Sequence, residues 1–253
     1  MTDSAELRKL AETVASTVGR EVATRREGGF SFTTKSSTSD VVTEIDTWSE
    51  DTVVEMLSTS RPNDGFLGEE GTSRSGTSGI TWVIDPVDGT TNLLYNLQGY
   101  SVSIAARTEE HVIAGAVFDP VRDELFSASR GQGAWLDGNT LAVTPITDLS
   151  IALVGTGFSY LAEQRRAQAE ALMTLLPEVR DIRRGGGAAI MLCEVASGRL
   201  DACYERGLSP WDSAAGVLIA TEAGAITHEE ELVYAAAPGI AKPFAALLQT
   251  MGA

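Results

Sequence analysis

The chain is short of the side chains that most often carry nucleophilic or proton-relay chemistry, with two histidines and two cysteines in 253 residues. His111 follows an acidic pair and His228 precedes three glutamates, surroundings that suit solvated surface positions rather than a catalytic relay. Cys193 and Cys203 stand in apolar stretches without the paired spacing of a zinc site or a disulfide framework, which fits a reducing compartment. Basic residues are scarce as well. Nineteen Lys and Arg face 35 Asp and Glu, and the resulting net charge of −16 argues against nucleic acid or an anionic membrane as a partner. No apolar run approaches the roughly 20 residues of a membrane span. Met1 to Gly19 is polar and charged, without the basic-then-apolar order of a signal peptide, so a cytoplasmic protein is expected. There is no Gly-x-Ser-x-Gly elbow and no Walker loop, and Gly155-Thr156-Gly157 lacks the third glycine of a dinucleotide fingerprint.

What the chain does have is a globular composition, 43% hydrophobic, and enough length to bury a large core without staples. Leu7, Leu10, Val14, Val18 and Val22 recur at helical spacing after the capping candidates Asp3 and Ser4, and Gly28-Gly29 ends that helix. Phe30 to Thr34 reads as a short strand, Lys35 to Ser39 as a polar turn, and Val41 to Leu57 as a second helix. Gly71 to Gly79 is rich in Gly, Ser and Thr and is expected to be a loose loop. Strands follow from Ile80 to Ile84 and through the middle of the chain to Leu136, consistent with an antiparallel sheet. Beyond about residue 150 strands and helices alternate, with helices at Glu163 to Leu176, Ala188 to Ala196, Trp211 to Glu222 and Pro243 to Thr250. No repeat and no linker divides the chain, so one unit is expected, an α+β part of about 1–147 and an α/β part of about 148–253.

The informative segment is Asp85-Pro86-Val87-Asp88-Gly89-Thr90-Thr91-Asn92, directly after a buried strand. Across a proline-containing turn the two carboxylates can converge, whereas strict strand geometry sends positions i and i+3 to opposite faces. Two anions in a partly dry site are costly unless cations neutralise them. A hard divalent ion suits carboxylate and carbonyl oxygens, and the Val87 carbonyl lies between the two acids. Gly89-Thr90-Thr91 then offers backbone N–H groups for a phosphate.

Asp85 to Asn92 resembles the signature of the inositol monophosphatase family, Mg²⁺-dependent and lithium-sensitive phosphatases. Further segments match in order: Lys35-Ser36-Ser37 with Asp40 to Asp46, Gly68-Glu69-Glu70, Arg184 to Ala189, and Glu205 with Pro210 to Gly216. The resemblance implies a layered αβαβα sandwich of the inositol monophosphatase and fructose-1,6-bisphosphatase type. It also implies hydrolysis of a small phosphate monoester, first of all myo-inositol 1-phosphate, with histidinol phosphate or fructose 1,6-bisphosphate as alternatives. Carried over residue by residue, Glu69, Asp85, Val87, Asp88 and Asp212 would hold two to three Mg²⁺ ions, with Asp46, Glu69 and Thr90 activating the attacking water. Asp88, Gly89, Thr90, Arg184, Gly186, Ala188, Glu205 and Asp212 would contact the substrate, and a homodimer is implied. Two departures bear on the leaving group: Gly185-Gly186-Gly187 stands where the family more often has a small hydroxyl residue, and Gly71 where serine is frequent. A haloacid-dehalogenase-type nucleophile is disfavoured because a single residue separates the two aspartates of that signature, whereas Pro86 and Val87 both intervene here. A regulatory binding protein on the same fold is the non-enzyme alternative.

Overall fold

The computed structural model describes residues 3–35, 37 and 40–251. Ser36 of the matched Lys35-Ser36-Ser37 segment, and Thr38 and Ser39 of the expected polar turn, lie outside the described residues. Helix α1 (Ser4–Glu27) starts as its sequence indicates, with the Asp3 carboxylate accepting from the Ala5 amide. It buries Leu7, Val14, Val18 and Val22, each worth about 1.5–3 kcal/mol when withdrawn from water. Gly19 permits the close approach, since a Cβ there would stand 2.3 Å from the Phe118 ring.

Strands β1 (Phe32–Thr34) and β2 (Val41–Thr43) form an antiparallel hairpin. The helix expected from Val41 therefore begins three residues later, as α2 (Glu44–Ser60), because Thr43 is extended and caps it. Next come β3 (Gly65–Gly68), β4 (Ser73–Arg74), β5 (Thr81–Asp88), the short α3 (Thr90–Leu94), β6 (Ser101–Arg107), β7 (Val112–Asp119), β8 (Glu124–Ser129), β9 (Gly133–Leu136) and β10 (Asn139–Thr140). Among the described residues they make one eight-stranded sheet in the order β10-β9-β8-β7-β6-β5-β3-β4, with only β3 and β5 parallel. The Gly71 to Gly79 stretch is docked rather than loose. β4 pairs with β3, the Thr77 amide donates to the Asn63 carbonyl at 2.7 Å, and the Ser78 hydroxyl donates to Asp64 at 2.6 Å.

The rest of the chain comprises β11 (Leu153–Thr156), α4 (Ala162–Leu175), β12 (Asp181–Arg183), α5 (Ala188–Ala196), β13 (Ala202–Arg206), α6 (Pro210–Glu222), β14 (Ile226–Glu229), β15 (Leu232–Ala236) and α7 (Pro238–Thr250). Its five strands order as β12-β11-β13-β15-β14. Pro243, expected to open the last helix, lies inside it, and Pro238 holds the first turn. α1 and α2 cover one face of the large sheet. α5 and α6, rich in Ala and aliphatic residues, fill the space between the two sheets, and α4 and α7 cover the small sheet's far side. The molecule is thus the expected αβαβα sandwich. No helix among the described residues is long and apolar enough to cross a membrane.

Candidate active site

β5 runs through the sequence that was expected to turn. Its pairing with β6 holds to Asp85 opposite Ser103 and resumes at Asp88 opposite Ser101, and the register shift between them is the irregularity that the proline makes. The bulge brings both carboxylates to the same end of the strand, each 6% exposed or less. Asp88 reaches across to α5, where both oxygens are engaged: the Ala188 amide donates at 3.0 Å and the Ala189 amide at 2.7 Å. That is a helix N-terminus receiving an anion. Gly187 makes the approach possible, because a Cβ there would lie 2.2 Å from the Asp88 carboxylate. The last glycine of the triplet thus has a steric reason in this chain, whereas a Cβ on Gly185 would meet nothing closer than 3.6 Å.

Two further acids are placed by one device. Asp46 is the third residue of α2, and its Oδ2 accepts from the Thr43 amide at 2.9 Å and from the Thr43 hydroxyl. Asp212 is the third residue of α6, and its Oδ2 accepts from the Ser209 amide at 2.6 Å. In each case one oxygen fixes the start of a helix and leaves the other free to work. For Asp46 that other oxygen accepts from the Thr90 hydroxyl at 2.8 Å, with the Val87 carbonyl 3.0 Å from the same hydroxyl. The hydroxyl has one proton, so it serves one of these acceptors at a time. The structure therefore joins the expected Asp46–Thr90 pair across the fold.

Asp212 closes the cluster. The carboxyls of Glu69 and Asp212 face that of Asp85, a gathering of like charges that a shared proton or a cation would relieve. Burial first, then the neighbouring Glu69, Asp88 and Asp212 charges, push Asp85 well above the usual carboxylate range. Burial and Asp212 push Asp88 up to about 8, while burial takes Asp212 up to about 6. Asp46 is raised too, by burial, against the pull of its Thr43 and Thr90 hydrogen bonds.

Glu69 arrives on the turn after β3, and sequence reasoning missed the group that sets that turn. Glu50 of α2, 3% exposed, accepts from the Glu70 amide at 2.8 Å and from the Thr72 amide at 2.9 Å. Gly68 leaves room for it, since a Cβ there would stand 2.4 Å from the Glu50 carboxylate. The available signal was the four-residue spacing from Asp46, which puts both acids on the buried face of α2. Lys35 lies over the turn, 3.0 Å from Glu69 and 2.6 Å from Glu70. Burial alone would lower the Lys35 amine, but the Glu70 hydrogen bond and the Glu69 charge together hold it above the ordinary lysine range. Burial pushes Glu70 up to about 7 despite that lysine.

Beside the cluster a cavity of about 240 Å³ is lined by Asp88, Gly89, Gly186, Ala188, Arg184, Glu205 and Asp212, so seven of the expected substrate contacts face one space. Thr90, the eighth, is buried next to it. α3 is too short for a strong macrodipole, so what its start could offer an anion is the backbone of the Gly89 turn, left-handed at φ +90° and close against the Gly99 carbonyl. Glu205 sits against Gly157, and its Oε2 is buried without a hydrogen-bond partner among the described residues. Burial pushes it up to about 7 against the charge of Arg184. A buried acceptor of this kind is free to take a hydrogen bond from a bound donor.

Among the described residues no three His, Cys, Asp or Glu side chains stand in metal-holding geometry, and Glu69 is drawn toward Lys35. The donor chemistry still fits a hard divalent ion. Every converging group is an oxygen, and the like charges of Asp85, Asp88 and Asp212 oppose one another, a repulsion that a divalent ion would relieve.

The family model described as "Inositol monophosphatase family" matches residues 3–250. The inositol-1-monophosphatase of Mycobacterium leprae is 41% identical over 98% of this chain and 94% of its own length. The solved structure of Mycobacterium tuberculosis SuhB superposes with a TM-score of 0.86 at 42% identity, covering 99% of this chain and 98% of that one. A relative from Pasteurella multocida, 43% identical over 77% of this chain and 73% of its own length, carries the name Nus factor SuhB.

Proposed function

The chain belongs to the inositol monophosphatase family, and we propose that it hydrolyses a compact phosphate monoester, myo-inositol 1-phosphate foremost, in a Mg²⁺-dependent reaction without a covalent enzyme intermediate. The observation that carries this reading is the meeting of Asp85, Asp88 and Asp212 with the Asp46–Thr90 pair beside a cavity that Glu205 lines. Glu69, Asp85, the Val87 carbonyl, Asp88 and Asp212 are the groups that would hold the ions. Bound there, divalent cations lower the pKa of a water and stabilise a departing alkoxide.

The protein's own residues supply the rest. While Thr90 donates to Asp46, a lone pair of its hydroxyl can accept a hydrogen bond from the attacking water. Proton loss then runs from water to the Thr90 oxygen as the Thr90 proton passes to Asp46 Oδ1. Burial makes Asp46 a stronger base than a surface aspartate. The Gly89 turn receives the phosphate, and the partnerless Glu205 oxygen accepts from a hydroxyl of the alcohol. Few cations line the cavity, so a single phosphate on a neutral polyol suits it better than a polyanionic nucleotide.

A steady-state comparison of inositol 1-phosphate, histidinol phosphate, fructose 1,6-bisphosphate and 3′-phosphoadenosine 5′-phosphate at fixed Mg²⁺ tests this. The highest kcat/KM is expected for inositol 1-phosphate. No phosphate release from any of them by folded protein would favour the regulatory reading, which the name of the Pasteurella relative also brings forward. The proposal extends to a cytoplasmic homodimer: Tyr95 and Leu97, 69% and 55% exposed, give an apolar face at the glycine-loop end, and light scattering reads the mass.

A further inference from the structure

A serine on the buried face of α2 touches the cation site from behind. α2 turns Asp46, Ser49, Glu50, Val53 and Leu57 toward the core, and Asp46 and Glu50 already hold Thr90 and the Glu69 turn. Ser49 lies between them, 0% exposed, and its hydroxyl donates to the Pro86 carbonyl at 3.0 Å. A hydroxyl inside a helix commonly donates to the carbonyl four residues earlier. Thr52 and Thr59 of the same helix do so, to the carbonyls of Trp48 at 2.8 Å and Glu55 at 2.9 Å. Ser49 instead reaches across to β5.

The carbonyl it reaches belongs to the bulge that brings Asp85 and Asp88 together. The same peptide unit is held at its other end, because the Val87 amide donates to Asp85 Oδ1 at 3.1 Å. A peptide plane fixed at both its oxygen and its N–H cannot rotate without breaking two hydrogen bonds. Donation to the carbonyl also polarises the peptide, which makes the Val87 N–H a stronger donor to the carboxylate. Asp85 thereby gains the arrangement seen at Asp46 and Asp212, one oxygen engaged by a backbone amide and the other left for the site. The next carbonyl, that of Val87, is one of the oxygens assigned to the ions, so a slip of this plane would move two ligands together.

We propose that Ser49 is a positioning residue for the cation site: by locking the Pro86–Val87 peptide against α2, it sets Asp85 and the Val87 carbonyl in the places from which they take up the ion. This inference rests on the phosphatase reading, and it names a group that touches neither ion nor substrate. A purely structural serine would matter for stability alone. A positioning serine matters for Mg²⁺ affinity beyond its share in stability.

The test is calorimetric titration of Mg²⁺ into metal-free wild-type, Ser49→Ala and Asp64→Asn protein, with unfolding followed on the same samples. Ser49→Ala should bind Mg²⁺ about 3- to 10-fold more weakly, the effect of one lost hydrogen bond, and the Mg²⁺ concentration for half-maximal phosphate release should rise by a similar factor. Asp64→Asn removes buried hydrogen bonds away from the cluster and should leave the affinity as it is, which separates positioning from stability. An affinity in Ser49→Ala equal to that of wild type overturns the proposal, and so does an equal loss in both variants. Should Ser49→Ala not fold, hydrogen exchange in the metal-free wild type decides. The Val87 amide is expected to be protected there, and free exchange overturns the proposal. Wild-type protein that binds no Mg²⁺ sinks the phosphatase reading itself.

Discussion

Two buried acidic centres flank the same strand, and they are built on opposite principles. Near the start of β5, Asp64 is 2% exposed and surrounded by donors. Arg61 holds it at 2.6 and 3.1 Å, the Ser78 hydroxyl at 2.6 Å and the Trp82 indole N–H at 2.9 Å. At the far end of β5, Asp85 and Asp88 are as deeply buried, and beyond the backbone amides they accept from, the side chains that face them are other carboxyls. The first centre is an anion already neutralised, and it staples a loop. The second gathers carboxyls whose like charges oppose one another, which packing alone would not favour. A buried acid with a full set of donors is architecture. One whose surroundings repel it has been kept for a cation or a substrate.

The contrast is broken most severely at Asp88. Asp88→Asn should cut kcat on the order of 10³-fold or more while the metal-free protein keeps a cooperative unfolding transition, lowered only by the one helix amide that loses its acceptor, as steady-state assays and calorimetry would read. Near-normal turnover would remove the assignment. The mirror-image change, Asp64→Asn, should cost about 2–4 kcal/mol in chemical denaturation, because four donors lose their charged acceptor. Its kcat at saturating Mg²⁺ should stay within about twofold of wild type. Between them lies Glu50→Gln. One of the two clamped amides loses its acceptor, so we expect about a tenfold loss of kcat and faster hydrogen exchange at Glu70 and Thr72, with the global unfolding transition retained.

The smallest effect concerns pH. Asp88, Asp212 and Glu205, at about 8, 6 and 7, bind protons more tightly folded than unfolded. The stability they contribute is therefore complete below the unfolded carboxylate range near pH 4 and is lost as pH rises through 6 to 8. Metal-free protein should melt several degrees lower at pH 8 than at pH 5, and Mg²⁺ should recover the difference at pH 8. A melting temperature that rises with pH over that window would contradict the assigned burial.

Much of this was legible in the sequence, and the failures have physical causes. α1, α5 and α6 follow from apolar spacing and capping residues, and the meeting of Asp85 with Asp88 was anticipated, although a bulge in a continuing strand makes it where a turn was expected. The β1–β2 hairpin was hidden because Val41–Thr43 is short and runs straight into a helix, so both fit one apolar period. The docking of Gly71–Gly79 was hidden because it depends on Asp64, whose donors come from three separate segments. Glu50 escaped notice because an acid on a helix reads as solvated unless its partner amides are known.

The account stands on the acidic end of β5 being a cation site. The direct measurement is calorimetric titration of Mg²⁺ into metal-free protein at pH 7, repeated in two buffers of different ionisation enthalpy. Saturable binding with net proton release is predicted, since carboxyls raised by burial must give up their protons to the ion. Wild-type and Asp64→Asn protein should behave alike, while Asp88→Asn binds more weakly and releases fewer protons. Absence of binding heat in folded wild-type protein, or binding with no proton release, would contradict it.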